Sequence, residues 1–332
     1  MKTFVIAEAG ANHNQDFNLA LKLIDSAASA SCDAVKFQTY SSKTLYSKNT
    51  PDFSFHKNIP ELIKSIEMPR MWHRELKKYC DEKNIEFMST PFDEKAVEEL
   101  YNLGIKRYKI AGFESTDPRF VKLVAQTKKP IILTAGIGAN LEMIKKIESW
   151  IREENECCDL TILHGNNAYP TPYRDINLGQ IKLIQKHYPH LKVGISDHTT
   201  GILVPPLAVT LGATVVEKHF TLDKKMKGPD HHFAIEPAEL TMMVQNIRVA
   251  ESCLGTKNNI TESEKFEMKA MRSVVAKTKI NKGAVFTSEN ITTKRPRLEN
   301  SISAIDYYKI LGKKSTKDIL PDDILTKKCV MG

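Results

Sequence analysis

Along the first two thirds of the chain, short apolar runs ending in polar residues alternate with longer segments whose apolar positions recur at helical spacing. The runs are TFVIAE, DAVKFQT, IEFMST, RYKIAG, PIILTAG, DLTILHGN, KVGISDH and ATVVEKHF. Between most of them lie helical patterns such as NLALKLIDSAASA, EKAVEELYNLG, DPRFVKLVAQT, NLEMIKKIESWIREE and LGQIKLIQKHY. The runs are apolar on both faces, as a parallel sheet covered by helices demands. Eight alternations in about 220 residues predict an α/β fold of the (β/α)8 TIM-barrel type rather than an open doubly wound sheet. No GxGxxG follows the first run.

Two stretches break the regular spacing. Residues 41 to about 70 form a long excursion after the second strand, which reads either as a substrate cover or as a decorative insertion. After ELTMMVQNIRVAESCLG the chain turns polar, and from RSVVAKTKINKGAVFTSENI onward short strands and KGA and PDD turns predominate. The predicted organisation is a barrel over residues 1–255, a linker over 256–271 and a small β-rich domain over 272–332.

Composition changes this picture little. A chain of 332 residues with 41% hydrophobic and 27% charged residues is ordinary for a globular protein, and no run approaches the roughly 20 apolar residues of a membrane span. MKTFVIAEAG meets a carboxylate at Glu8 and reads as a first strand, not a signal peptide. Six scattered cysteines without CxxC pairs argue against a disulfide framework or a zinc module and for a reducing cytoplasm. The net charge of +8 lacks a dense basic run with interleaved aromatics, so no nucleic-acid partner and no membrane partner is expected.

The strand ends carry the chemistry, because in a barrel they converge on one face. Polar residues stand at nearly every one: Glu8, Lys36 with Gln38, Thr90, Lys109 with Glu114 beyond it, Thr134, His164 with Asn167, Ser196 to His198, and Glu217 to His219. His198 and His219 lie one βα unit apart at matching depth, where two imidazoles can bind one metal and leave an open face. Glu8 can supply or orient an oxygen ligand through water. Lys36 and Lys109 need partners for their ammonium groups. A bound phosphate or carboxylate would satisfy both lysines; so would a structural network with Glu8, Glu114 or Glu217. Thr90, Thr134, Asn167 and Ser196 are neutral donors suited to orienting a phosphate. In MKGPDHHF a Gly-Pro turn presents Asp230 to a polyhydroxyl substrate.

Taken together, EAGANHN, VKFQTY, STPFD, YKIAGFE, NNAYPTPY, ISDHTTG, VVEKHFTLDKKMKGPDHHF and the terminal VVAKTKINKGAVFTSENITTKRP resemble the sialic acid synthase family, bacterial enzymes with a carboxy-terminal antifreeze-like (SAF) domain. The resemblance spans essentially the whole chain. It implies a synthase that condenses phosphoenolpyruvate with an acetamido sugar aldehyde, N-acetylmannosamine or a 2,4-diacetamido-trideoxymannose, to give a nonulosonic acid and phosphate. It implies a divalent cofactor, Mn2+ or alternatively Mg2+ or Co2+, on His198 and His219, with Glu8 as the catalytic glutamate beside it. Phosphoenolpyruvate contacts fall on Lys36, Thr90, Lys109, Thr134, Asn167 and Ser196, and sugar contacts on Gln38, Glu114, Tyr169, Asp230 and Arg295. Arg295 would come from the partner subunit of a domain-swapped homodimer. The chain departs from the family at Gly112, where many relatives have a serine, at Thr134, which replaces a serine, and at His164-Gly165-Asn166, which replaces a His-Cys-Thr run. Backbone groups or Asn166 are the expected substitutes for the donor missing at Gly112. Two further readings stand beside this one: a synthase of a related 2-keto-3-deoxy sugar acid, and a non-catalytic carbohydrate-binding protein.

Overall fold

The computed structural model describes residues 2–47, 49–51, 58–137, 140–255 and 259–331. It divides into two compact units, Met1–Gly255 and Thr256–Gly332. In the first unit the eight apolar runs form the strands β1 (Phe4–Gly10), β2 (Ala34–Thr39), β3 (Glu86–Pro91), β4 (Tyr108–Ile110), β5 (Ile131–Ala135), β6 (Leu160–Gly165), β7 (Lys192–Asp197) and β8 (Val215–His219). All ladders are parallel, in the order β3-β2-β1-β8-β7-β6-β5-β4, so the first and last strands pair side by side. β3 and β4 approach within 8 Å at the remaining seam, and β4 is only three residues long. The sheet is therefore the expected eight-stranded barrel with helices outside.

Side chains alternate across each strand, which sorts the residues into two cores. Val5, Ala7, Val35, Phe37, Phe87, Tyr108, Ile110, Ile131, Leu133 and Ile162 face the helices and pack with them. Ile6, Ala34, Met88, Ile132, Leu163 and Val215 form a separate apolar plug inside the barrel. Two residues further along the same strands the inward positions become Glu8, Lys36, Thr90, Thr134, Gly165 and Glu217. The plug thus closes the barrel below, and the polar layer begins directly above it.

The helices that clamp this barrel begin on side-chain caps. Asp16, Asp93, Asp117 and Asn140 each accept from backbone N–H groups of the first turn. Within the excursion, helices span Ser42–Leu45 and Ile59–Ile66. Gln15 donates to the carbonyls of Lys64 and Glu67, and Tyr40 to that of Ile66. Residues 48 and 52–57 of the excursion lie outside the described residues.

The second unit holds an antiparallel pair, β9 (Ser273–Ala276) and β10 (Ile291–Lys294), with isolated bridges around it. Its own core contains Val274, Ala276, Ile280, Phe286, Ile291, Ile302, Ile310, Ile319, Leu325 and Cys329. Within the stretch read as a linker, a short helix runs from Glu262 to Glu267 behind a Thr261–Glu264 capping box; residues 256–258 lie outside the described residues.

Candidate functional site

The polar layer above the plug opens into a cavity lined by Glu8, Lys36, Gln38, Thr90, Phe92, Lys109, Ala111, Gly112, Thr134, Asn167, Tyr169, Ser196, His198, Glu217 and His219. Strand register brings these groups level. Glu8 stands beside Lys36 on one side and His219 on the other, Gln38 beside Thr90, and Ser196 beside Glu217.

Two lysines and two carboxylates make the centre of the cavity. Lys36 Nζ lies 2.8 Å from Glu8 Oε2 and 3.6 Å from Glu217 Oε2, and donates to Thr90 Oγ1 at 2.9 Å. Lys109 Nζ lies 3.5 Å from Glu217 Oε1 and donates to Thr134 Oγ1 at 2.8 Å. Gln38 donates to Glu8 Oε1, and Ser196 to Glu217 Oε1, both at 2.8 Å. The lysines are therefore satisfied by the carboxylate network. Glu217, absent from the residues expected to contact substrate, is its hinge. Ser196, paired with it across β7 and β8, and His219, two residues on, carried expected roles, and two lysines at strand ends were a signal that a carboxylate was needed between them.

The two carboxyls differ in their proton affinity. Burial pushes Glu8 up to about 7; Lys36 opposes this and Glu217 adds to it. Burial acts in the same direction on Glu217, but Lys109, Lys36, the Ser196 hydrogen bond and His198 together outweigh it and hold that group down at about 2. Burial also lowers Lys109, whereas the two carboxylates outweigh burial at Lys36 and raise it.

The imidazoles stand above this network with ring centroids 5.7 Å apart. His198 Nδ1 lies 2.6 Å from the Asn166 carbonyl, which can only accept, so Nδ1 carries the proton and Nε2 is left as a lone pair. Burial depresses His198 to about 4, partly offset by that hydrogen bond, and depresses His219 well below its ordinary value, with His198 and Lys36 adding to the effect. Both rings are thus neutral, the form that binds metals. His219 Nδ1 is buried without a hydrogen bond, with Asp230 Oδ2 3.8 Å away. These observations fit a cation. Among the described residues no group of three or more His, Cys, Asp and Glu converges on a metal position, so a cation here would rest on two imidazoles with the rest of its shell open. Tyr169 packs on His198 at 4.3 Å between centroids and meets His219 edge-on at 6.0 Å.

Glycines make the room. A Cβ on Gly10, which adopts φ +52°, would stand 3.1 Å from Asp230 Oδ2 and 3.4 Å from the His219 ring. At Gly112 a Cβ would meet the Asn167 amide at 2.9 Å and the Gly136 Cα at 3.0 Å. Asn167 therefore occupies the space beside Gly112. Asn166, expected as a substitute donor there, is instead turned away: its side chain bonds the Asp175 carbonyl and the Ala168 N–H, because these close the loop that follows β6. His164 is likewise held outside the cavity by the Ile176 carbonyl at 2.6 Å.

The remaining expected sugar contacts are distributed differently. Glu114 begins a short turn after β4 and lines a neighbouring hollow with Arg70, Asp93 and Phe113; Phe92 borders both hollows. Its Oε2 is buried without a hydrogen bond, and burial raises its carboxyl to about 7. Asp230 lies in the loop after β8, beside Gly10 and His219. Arg295 belongs to the second unit, directly after β10.

Fold and site together define a class: a (β/α)8 barrel whose strand ends gather buried lysines, carboxylates and neutral imidazoles in one cavity. The chain belongs to the NeuB family, whose model matches residues 23–259, and residues 271–331 match the SAF domain. It is 38% identical to an N,N'-diacetyllegionaminic acid synthase of Campylobacter jejuni over 98% of this chain and 99% of that protein. It is 37% identical to a pseudaminic acid synthase of the same species over 98% of this chain and 95% of that protein. A solved N-acetylneuraminic acid synthetase from Leptospira borgpetersenii, in complex with citrate, superposes with a TM-score of 0.74 at 33% identity, covering 81% of this chain and 90% of that one.

Proposed function

We propose that this chain is a nonulosonic acid synthase, joining phosphoenolpyruvate to an acetamido sugar aldehyde with addition of water and release of phosphate. The observation that carries the reading is the cavity itself, which Lys36 and Lys109 with their hydroxyl partners line together with two neutral imidazoles. The names of the relatives support it: they are a diacetyllegionaminic acid synthase, a pseudaminic acid synthase and a sialic acid synthetase.

Lys36 and Lys109 bind the phosphate and carboxylate of phosphoenolpyruvate, oriented by Thr90, Thr134, Ser196 and Asn167. Tyr169, Gln38, Glu114 and Asp230 bound the space for the sugar. A divalent cation held by His198 and His219, Mn2+ by preference, would supply Lewis-acid polarisation of the aldehyde. The methylene carbon of phosphoenolpyruvate bonds to the aldehyde carbon, whose carbonyl electron pair moves to oxygen and takes a proton. Water then adds at C2 and gives its proton to Glu8, whose carboxyl is poised near neutrality. The C2–O bond to phosphate breaks as the C2 hydroxyl gives its proton to the departing phosphate, leaving the 2-keto acid and inorganic phosphate. The working unit is a homodimer in which Arg295 of one copy completes the sugar pocket of the other, and the setting is the cytoplasm. Among the described residues no helix is long and apolar enough to cross a membrane.

The test is phosphate release from phosphoenolpyruvate with Mn2+ and a panel holding N-acetylmannosamine, a 2,4-diacetamido-trideoxymannose and a sugar phosphate, with mass spectrometry of the product. A nine-carbon keto acid with an acetamido group is expected. Phosphate release with a sugar phosphate alone would replace the reading by a related keto-deoxy acid synthase; sugar binding without phosphate release would make the chain a carbohydrate binder.

A further inference from the structure

Lys218 and Asp197 take no part in the cavity, yet they are among the most deeply buried ionised side chains of the barrel, 1% and 0% exposed. Each sits between two residues that enter the cavity, Lys218 between Glu217 and His219, Asp197 between Ser196 and His198. Alternation along a strand therefore directs both away from the cavity. The register pairs Asp197 with Lys218 across β7 and β8. Lys218 Nζ lies 2.7 Å from Asp197 Oδ2 and also donates to the Thr199 carbonyl, while Asp197 Oδ1 accepts from the Thr199 N–H at 2.9 Å.

Both backbone polar groups of Thr199, the residue after His198, are thus satisfied by this one ion pair. The chain leaving β7 is tied from behind to the residue preceding His219. On the cavity side the same two strands are tied by Ser196 Oγ to Glu217 Oε1. Stability alone does not account for the outer tie, because apolar residues of similar volume commonly replace a buried ion pair at no loss. What apolar packing lacks is direction: a charged lysine bonded to both a carboxylate and a carbonyl fixes where its partners stand.

We propose that the Lys218–Asp197 pair is a positioning device that sets the spacing and orientation of the His198 and His219 imidazoles for a shared cation. The proposal rests on the reading of those histidines as cation ligands and deepens it. Lys218→Met combined with Asp197→Asn removes the charges while keeping side-chain volume and an acceptor for the Thr199 N–H. Asp197→Asn alone is the milder variant, in case the double variant does not fold. Each is compared with the unaltered protein by thermal unfolding without metal and by the visible absorption of Co2+ titrated without substrate.

Folded variants are expected to bind Co2+ about tenfold or more weakly, with an altered absorption band, as happens when the groups orienting metal ligands are removed. Lys218→Arg, which keeps the charge, is expected to retain most of the affinity. Wild-type Co2+ affinity and spectrum in either folded variant overturn the proposal and leave the cation reading standing. An unaltered protein that takes up no Co2+ overturns both.

Discussion

Replacing Glu217 with glutamine should destabilise the ligand-free barrel strongly and make it depend on an added anion. The carboxylate lies 3.5 Å from Lys109 Nζ and 3.6 Å from Lys36 Nζ, and no other carboxylate lies within 4 Å of Lys109 among the described residues. At an effective dielectric of about 20, each contact carries roughly 4 to 5 kcal/mol of attraction, offset by the cost of burying the carboxylate. Glutamine keeps the shape and can still accept from Ser196, but it leaves Lys109 buried without a counter-charge. Breaking one partner of a buried pair costs about 3 to 5 kcal/mol, which for a unit of this size is a loss of about 6 to 20 °C in melting temperature. Inorganic phosphate should return a large part of this loss, because it supplies the missing charge to the same two ammonium groups and binds only the folded state. Thermal unfolding of both proteins in a non-coordinating buffer, with and without phosphate at fixed ionic strength, is the measurement. Equal melting temperatures, or equal phosphate stabilisation of both proteins, would show that Glu217 is not what holds Lys36 and Lys109 in place.

Acid should unfold the barrel partly through two histidines away from the cavity centre. Burial holds His13 and His73 at about 4, below the ordinary 6.5, so the unfolded chain takes up their protons first. Their contribution is complete above about pH 6.5 and disappears as pH falls toward 4, at most about 3 kcal/mol each, so His73→Gln should flatten the dependence of the urea midpoint between pH 7 and 4.5. Gly112→Ser should not add a useful phosphate donor: its Cβ displaces Asn167 and presses on Gly136, so the KM for phosphoenolpyruvate should rise several-fold, by roughly 1 kcal/mol of binding. A lower KM in steady-state kinetics would refute that reading of the Asn167 position. Removing divalent ions with EDTA should abolish phosphate release, Mn2+ should restore it, and His219→Ala should prevent the restoration; full activity of His219→Ala at saturating Mn2+ would remove the two-histidine site.

The barrel was legible because each strand run is apolar on both faces and polar at the end, as a parallel sheet inside helices demands, and because the runs number eight, which selects a closed barrel over an open sheet. Even the layering follows from period two: Ile6, Ala34, Met88, Ile132 and Val215 plug the barrel, and the residue two places on is polar in each case. Less legible was how the polar residues divide the work. The sequence leaves Lys36 and Lys109 to pair with either an anion or a carboxylate network, and in the structure the carboxylates Glu8 and Glu217 stand beside them. The two alternatives are compatible, because a phosphate bound by these lysines would partly replace the carboxylates as their counter-charge. Spacing along the chain cannot express this, since Glu217 meets Lys36 and Lys109 only through the ring of eight strands. The same holds for Gly112. In sequence it is a missing hydroxyl; in three dimensions it is the space Asn167 fills, brought there from the loop after β6. Likewise, the histidines at 198 and 219 were conspicuous, whereas nothing in the sequence marked Lys218 as the partner of Asp197. A strand's alternation decides which face a residue takes; only closure of the barrel decides whether that face is solvent, helix layer or cavity.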